Sequence, residues 1–217
     1  MSQGRFVVFE GIDGSGKTTV AKEFARGLQG AGIDAVLTRE PGATGLGVEL
    51  RRLLLSRTSS GGAEAGIRID AMAEALLFAA DRAQHIGEVV LPCLAEGRTV
   101  VCDRYVYSSI VYQSLKGLDG PSVDEIRSLN FTATGDLRPD MVVLLDIDPR
   151  VAALRMGTRG ETKDVMEASH VGQYARMRDM YLQMAKEDSS RWLVVDATPS
   201  VGAVVEAVRT GYFKRFD

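Results

Sequence analysis

The chain has 217 residues, of which 45% are hydrophobic and 25% are charged, with a formal net charge of −3. This size and composition allow a full hydrophobic core and predict one enzyme-sized domain. The acidic balance argues against a nucleic-acid-binding surface, and no apolar run approaches the length of a membrane span. We therefore expect neither nucleic-acid nor membrane partners, and functional basic residues that are clustered locally.

Two features predict a cytoplasmic location. Cys93 and Cys102 lie in apolar surroundings without metal-ligand spacing, so we expect reduced core cysteines rather than a disulfide or a zinc site. The first residues lead directly into a predicted strand, which leaves no room for a signal peptide.

A glycine-rich motif follows the first predicted strand, within residues 6–19. Gly11 and the triplet Gly16-Lys17-Thr18 have the spacing of a phosphate-binding loop, in which backbone N–H groups surround an anion. The alternative is a tight strand-to-helix turn without a ligand, but the order of strand, motif and helix favours phosphate binding. The candidate ATP phosphate-binding residues are Gly11, Asp13, Gly14, Ser15, Gly16, Lys17, Thr18 and Thr19. Switch GTPases, ATPases and small-molecule kinases share this motif.

A helix is predicted over residues 17–30 and a short second strand over 35–38. Arg39 follows that strand directly. Because ligands bind at the carboxyl ends of strands in open α/β sheets, Arg39 is a candidate anion contact. The alternative is a solvated loop arginine.

The next predicted helices cover residues 46–55 and 68–96, and Pro92 suggests a break or kink near the end of the second. Phe78 and Arg82 stand four residues apart, so they share a helix face and could jointly hold a flat polar base. Ordinary packing and a surface charge are the alternative. An apolar stripe on the same helix is expected to face the core; it comprises Ile69, Met72, Ala73, Leu76, Leu77, Ala80 and Ala83.

A third strand is predicted over residues 99–102 and ends in Asp103 and Arg104. A carboxylate beside a phosphate loop suits the organisation of Mg²⁺, so Thr18 and Asp103 are the candidate metal ligands. The alternative is that Asp103 caps the next helix and pairs with Arg104.

The remaining chain completes an alternating pattern of strands and helices. Strands are predicted over residues 141–145 and 192–196, and helices over 171–186 and 200–210. The five strands predict an α/β fold with a parallel sheet and helices on both faces. The polar, locally basic segment 155–164 reads as a lid over a triphosphate, with a solvated charged loop as the alternative. His85 and His170 have no partners with catalytic spacing, so we assign them no chemistry.

More basic candidates converge on the predicted site than one triphosphate requires. A second substrate that carries a phosphate would explain Arg39 and Arg104, and Phe78 with Arg82 would suit the base of that substrate. These residues favour a nucleoside monophosphate kinase.

The chain also resembles the thymidylate kinase family over nearly its whole length. The matching blocks are FEGIDGSGKTT at 9–19, TREPG at 38–42, LFAADRAQH at 77–85, DRYVYSS at 103–109, YQ at 112–113 and RPD at 138–140. The resemblance implies a phosphate-loop kinase fold in a single domain over residues 1–217, with a short lid at about 155–167. It also implies ATP- and Mg²⁺-dependent conversion of dTMP to dTDP by a homodimer.

The resemblance assigns roles around the acceptor phosphate and sugar. Asp13 would meet the sugar 3′-hydroxyl, and Arg39 and Arg104 would bind the acceptor phosphate. Together with Lys17, these two arginines are candidate catalytic residues.

The resemblance also assigns the base pocket of dTMP. Phe78 would stack on thymine, Arg82 would bond a base carbonyl and Ser109 would lie near N3. Tyr112 would crowd the position of a ribose 2′-hydroxyl, and Gln113 belongs to the same pocket.

The chain departs from the family pattern at its catalytic cation. Gly14 and Ser15 bring no arginine into the phosphate loop, so the lid should supply it, and Arg159 is the candidate. The Asp-Arg pair that is frequent in the lid is Asp164-Val165 here, so one expected arginine is missing. Arg155, Arg159 and Lys163 remain as the positively charged residues that could neutralise the transferring phosphoryl group. Two functional alternatives stay open: a kinase for dUMP or a modified pyrimidine monophosphate, and a nonenzymatic nucleotide-dependent switch.

Overall fold

A computed structural model describes residues 4–55, 68–115, 120–157 and 166–216. Its centre is a sheet of five parallel strands in the order β2-β3-β1-β4-β5. The strands are β1 (Phe6–Glu10), β2 (Ala35–Arg39), β3 (Thr99–Asp103), β4 (Met141–Asp146) and β5 (Trp192–Asp196). The predicted five-stranded parallel sheet is confirmed; its strand order could not be read from the sequence.

Helices connect the strands and cover both faces of the sheet. They are α1 (Lys17–Gly30), α2 (Gly45–Leu55), α3 (Ala71–His85), α4 (Leu91–Ala95), α5 (Val106–Ser114), α6 (Val123–Thr134), α7 (Pro149–Gly157), α8 (Met166–Glu187) and α9 (Val201–Phe216). Strand β1 shows why two layers are needed: Val7 and Phe9 pack into one core cluster, while Phe6 and Val8 pack into another. Side chains alternate between the faces of a strand, so a fully apolar strand must be covered on both sides.

The register of the sheet brings three predicted functional segments to one edge. Asp103 pairs with Phe9 of β1 on one side and with Arg39 of β2 on the other. The loops that follow β1, β2 and β3 therefore begin side by side at the carboxyl edge, where α/β sheets bind ligands.

The predicted core stripe of the long helix is wrong. Most of its members are exposed, with exposed fractions of 37% for Met72 and 49% for Leu76, and Ala73, Ala80 and Ala83 are exposed as well. The buried face of α3 instead carries polar groups together with two alanines; it comprises Glu74, Ala75, Ala79, Asp81, Arg82 and His85. Periodicity identified an amphipathic helix, but the face that packs against the fold is the one whose charged groups find partners.

Two further boundaries differ from expectation for local reasons. The predicted break at Pro92 is a π-helical turn, Ile86–Val90, which joins α3 to α4 and accommodates the hydrogen bond that proline cannot make. Helix α6 was not predicted, although its start carries a capping box: Ser122 and Glu125 each bond the other's backbone N–H.

Candidate active site

One cavity of about 750 Å³ opens at the carboxyl edge of the sheet. Most of the predicted site residues line it: Asp13, Gly14, Gly16, Lys17, Thr18, Thr19, Arg39, Phe78, Arg82, Asp103, Arg104, Ser109, Tyr112 and Gln113. Gly11 and Ser15 lie beneath its surface and are buried. The cavity also includes residues that sequence reasoning did not assign to the site: Glu40, Pro41, Arg51, Leu54, Leu55, Glu74, Ser108 and Met156.

The glycine-rich loop has the backbone that an anion site requires. Gly14 has a φ of 83°, and a Cβ there would stand 2.5 Å from the carbonyl oxygen of Ala152, so only glycine fits. Lys17 Nζ donates to the carbonyl oxygen of Ile12 at 2.8 Å. Burial, together with the charge of Arg104, lowers the pKa of Lys17 to about 8. An anion bound in the loop would favour the charged form of Lys17.

Thr18 and Asp103 meet at the mouth of the loop. The Thr18 hydroxyl donates to Asp103 Oδ2 at 2.5 Å, and Asp103 Oδ1 is buried without a hydrogen-bond partner among the described residues. A buried carboxylate oxygen in this state fits a hard cation, which prefers oxygen ligands. The two residues therefore suit the predicted Mg²⁺.

Glu10, and not Asp103, caps the helix that follows β3. Glu10 Oε1 accepts hydrogen bonds from the backbone N–H groups of Tyr105 at 2.9 Å and Ser108 at 3.2 Å. Its other oxygen accepts from the Ser108 hydroxyl at 2.6 Å and the Tyr181 hydroxyl at 3.1 Å. Burial raises the pKa of Glu10 despite these bonds. The alternative that Asp103 caps this helix is wrong, because a buried carboxylate on β1 already accepts those N–H groups.

Arg104 lies between this cap and the cavity. Its backbone has a φ of 75°, and its guanidinium donates to Ser108 Oγ at 2.8 Å, to Tyr112 Oη at 3.3 Å and to Asp13 Oδ1. Burial opposes ionisation of Asp13, yet the charges of Arg104 and Lys17 hold the pKa of that carboxyl below its ordinary value. The predicted pair of acceptor-site groups, Asp13 and Arg104, is thus in contact.

A second cluster of positive charge stands beside the loop. Arg39 is exposed into the cavity, and Arg51 lines it nearby while donating to the carbonyl oxygen of Pro41 at 2.8 Å. Burial and the charge of Arg39 lower the pKa of Arg51. Like charges held together in this way favour an anionic ligand. Arg51 was missed because nothing in the pattern of α2 distinguishes it from a surface arginine.

Arg82 belongs to the interior, so its interpretation as a surface charge is wrong. Only 2% of it is exposed. Its Nε donates to Glu40 Oε2 at 2.7 Å, and its Nη1 donates to Ser109 Oγ at 3.1 Å and to Asn130 Oδ1. Phe78 lines the same cavity. An aromatic ring and a fixed guanidinium therefore line the same cavity as the glycine-rich loop.

His85, for which we predicted no chemistry, is part of this interior network. Its Nδ1 lies 2.8 Å from Glu40 Oε1, and its Nε2 lies 2.7 Å from Thr38 Oγ1. Thr38, Glu40 and His85 all belong to the sequence blocks TREPG and LFAADRAQH, but only the fold shows that these two blocks are in contact.

Comparison with known proteins identifies the family. A family model described as thymidylate kinase matches residues 9–208. The chain belongs to the thymidylate kinase family. It is 43% identical to the thymidylate kinase of Cutibacterium acnes over 215 residues, which cover 98% of this chain and 99% of that protein. It is 42% identical to a thymidylate kinase of Bifidobacterium longum over 207 residues, covering 95% and 96%, and 40% identical to that of Solidesulfovibrio magneticus over 210 residues, covering 94% and 96%.

Family membership confirms three predictions: the thymidylate kinase resemblance, the phosphate-loop kinase fold and the assignment as a nucleotide-binding transferase that uses ATP. It does not test the roles of individual site residues, which stay predictions. None of the described helices combines the length and apolar character needed to cross a membrane.

The predicted lid, residues 155–167, lies mostly outside the described residues. Arg159 and Lys163 fall in the segment 158–165, which the structure does not describe. Arg155, at the end of α7, donates to the carbonyl oxygens of Ala197 at 3.0 Å and Thr198 at 3.1 Å. Its guanidinium therefore contacts the loop between β5 and α9. The assignment of Arg159 as the lid cation stays a prediction.

Proposed function

We propose that this chain transfers the γ-phosphoryl group of ATP to dTMP and forms dTDP. The observation that carries the proposal is that two groups of cations line one cavity. Lys17 of the glycine-rich loop is the first group, and Arg39, Arg51 and Arg104 line the second region, which suits a second phosphate. Phe78 and Arg82 extend the second region toward a base, which makes it suited to a nucleoside monophosphate.

The chemistry asks for alignment and charge neutralisation more than for proton transfer. The second phosphate pKa of a monophosphate is about 6, so its attacking oxygen is already ionised at neutral pH. Lys17 and the arginines can balance the negative charge of two phosphate groups brought close together. Asp13, held by Arg104, faces the acceptor side of the loop and suits a contact with a sugar hydroxyl.

Thr18 and Asp103 would hold Mg²⁺ in this site. The buried, unpartnered Asp103 Oδ1 and the adjacent Thr18 hydroxyl supply oxygen ligands of the type the ion prefers. When bound, Mg²⁺ neutralises charge on the donor phosphates.

The proposal includes a homodimer that covers the exposed face of α3. Met72 and Leu76 on α3 and Leu46 and Val48 on the neighbouring α2 are large apolar side chains with exposed fractions from 37% to 54%. Single exposed apolar residues are ordinary, but several on two packed helices form a patch suited to a protein partner. A second copy of this chain is the partner that the family resemblance implies.

The proposal also includes the predicted cytoplasmic location, with which the two buried free thiols, Cys93 and Cys102, agree.

Initial rates with ATP and Mg²⁺ across a panel of purified monophosphates test the proposed reaction. The panel contains dTMP, dUMP, dCMP, dGMP and AMP, and a coupled assay measures ADP release. We expect the highest kcat/KM with dTMP. Preference for another monophosphate would overturn the substrate, and no turnover of any would favour a nucleotide-dependent switch. Lys17→Ala is the negative control, because it removes the cation of the glycine-rich loop.

A further inference from the structure

The strand that carries Arg39 presents its neighbours to one imidazole. Thr38 and Glu40 are both buried, whereas Arg39 between them is exposed into the cavity, as expected because successive side chains of an extended chain point to opposite sides. His85 contacts both buried neighbours, through Nε2 to Thr38 and through Nδ1 to Glu40. One side chain of α3 therefore contacts the side chains of both residues that flank Arg39.

The same imidazole also reaches the base end of the cavity through Glu40. Glu40 Oε1 faces His85 Nδ1, and Glu40 Oε2 accepts from Arg82 Nε at 2.7 Å. Arg82 Nη1 donates hydrogen bonds to Ser109 and Asn130. Among the described residues no hydrogen bond uses Arg82 Nη2, and Arg82 lines the cavity. Hydrogen bonds to Glu40, Ser109 and Asn130 thus fix the orientation of the Arg82 guanidinium.

The hydrogen-bond partners in this buried network select one tautomer of a neutral His85. His85 is 0% exposed, Glu40 4% and Arg82 2%. An ionised Glu40 paired with Arg82 can only accept hydrogen bonds, so the proton of a neutral His85 lies on Nδ1 and Nε2 accepts from the Thr38 hydroxyl. Every contact then joins a donor to an acceptor, as buried polar groups require.

We propose that His85 is a positioning residue for the monophosphate site. It orients Arg39 through the two flanking side chains and Arg82 through Glu40, so it links the phosphate end of the acceptor site to the base end. This inference rests on the proposed function, because it takes the acceptor to be dTMP. His85 does not line the cavity and is not a catalytic residue.

Two conservative variants separate the two arms of the network, which are the contact from His85 through Glu40 to Arg82 (the Arg82 arm) and the contact from His85 to Thr38 beside Arg39 (the Arg39 arm). In His85→Asn, an amide nitrogen on Cγ can replace Nδ1, which keeps the bond to Glu40 and loses the one to Thr38. In His85→Gln, the longer side chain reaches the position of Nε2, which keeps Thr38 and loses Glu40. Gln84→Ala is the control, because Gln84 is the exposed neighbour that bonds Glu88 on the surface.

Binding of thymidine and dTMP, measured by calorimetry, reads the two arms. Thymidine lacks the phosphate, so its Kd reports the Arg82 arm alone, and the ratio of the two Kd values reports the Arg39 arm. For His85→Gln we expect both Kd values to rise about tenfold, the size of one lost charge-assisted hydrogen bond. For His85→Asn we expect thymidine binding within about twofold of wild type and dTMP binding about fivefold or more weaker. The KM for ATP should not change in either variant.

Measurements of Tm and one further variant distinguish a positioning role of His85 from a purely stabilising one. Thr38→Val replaces the hydroxyl by a methyl group and should reproduce the pattern of His85→Asn, so it takes the place of His85→Asn if that variant fails to fold. A lowered Tm with unchanged binding of both ligands would show that His85 serves stability alone, and it would overturn the inference. A wild-type protein that binds neither ligand would overturn the proposed function and this inference with it.

Discussion

Two buried carboxylates each stand behind one of the cavity arginines. Glu10 caps α5 and accepts from Ser108, whose hydroxyl also receives a bond from Arg104. Glu40 accepts directly from Arg82. A long arginine side chain loses considerable rotamer entropy when it is ordered, and these carboxylates order it before any ligand arrives. Preorganisation of this kind reduces the entropic cost of binding.

Truncation of the aromatic ring should affect one substrate only. We expect Phe78→Ala to raise the KM for dTMP about tenfold or more, because a stacked aromatic contact and its buried area are lost. The KM for ATP should stay unchanged. Leu91→Ala, which shortens an exposed apolar residue on α4, serves as the control. Equal effects on the two KM values would mean that Phe78 does not belong to the base pocket.

Removal of the proposed lid cation should slow the chemical step. We expect Arg159→Ala to lower kcat about a thousandfold, the scale on which an arginine stabilises a transferring phosphoryl group, with KM values for both substrates within about threefold of wild type. Steady-state rates of this variant are compared with those of Arg176→Ala, which changes an exposed arginine on α8. An unchanged kcat would remove Arg159 from the catalytic residues.

The buried Glu10 should make stability depend on pH with a definite sign. Because burial raises its pKa in the folded chain, the folded state binds more protons than the unfolded state at pH values above 4.5. The contribution of Glu10 to stability is therefore full in acid and is lost as pH rises through its folded pKa. Glu10→Gln keeps an acceptor oxygen for Tyr105 and Ser108 but does not ionise.

The difference in the free energy of unfolding between Glu10→Gln and wild type isolates the contribution of Glu10 ionisation. We expect the free energy of unfolding of Glu10→Gln, relative to wild type, to increase between about pH 5 and pH 8. Urea denaturation of both proteins at each pH measures it. A difference that does not vary with pH would mean that the pKa of Glu10 is the same in the folded and unfolded chains.

At the scale of elements, local sequence patterns predicted the strands and most of the helices, but not which helix face is buried. All five strands were found because each is a continuous apolar run or ends at a polar block of recognisable type. Helix α6 was missed even though its start carries the Ser122–Glu125 capping box. Helix α3 was found, but its buried face was assigned wrongly.

The error on α3 has the same physical origin as the residues missed in the site. A periodic pattern identifies two faces of a helix but not which partner each face meets. Arg82 and His85 are buried because Glu40, from a distant part of the chain, pairs with the charge of Arg82 and hydrogen-bonds both side chains. Arg51 likewise becomes a site residue only because Arg39 and Pro41 stand beside it. Motifs locate the cavity, whereas the networks that support it require the fold.

At the scale of the whole molecule, the exposed face of α3 should determine the oligomeric state. We expect Leu76→Glu to weaken the proposed dimer at least about a hundredfold, because it removes buried apolar area and places an unpaired charge in the contact. Sedimentation velocity over a range of concentrations measures the change. Leu91→Glu, which adds the same charge at an exposed position of α4, should sediment as wild type does. A wild-type protein that stays monomeric at high concentration would contradict the proposal.

The strand order has a consequence for the chain as it leaves the ribosome. Strand β1 lies between β3 and β4, and β2 has only β3 as a neighbour. When residues 1–98 have been synthesised, neither β1 nor β2 has a strand to pair with. Residues 1–98, nearly half of the chain, must therefore be synthesised before β3 emerges and any part of the sheet can form. Apolar strands such as β1 are aggregation-prone during that interval, so chaperone binding to this protein should concentrate on nascent chains shorter than the end of β3.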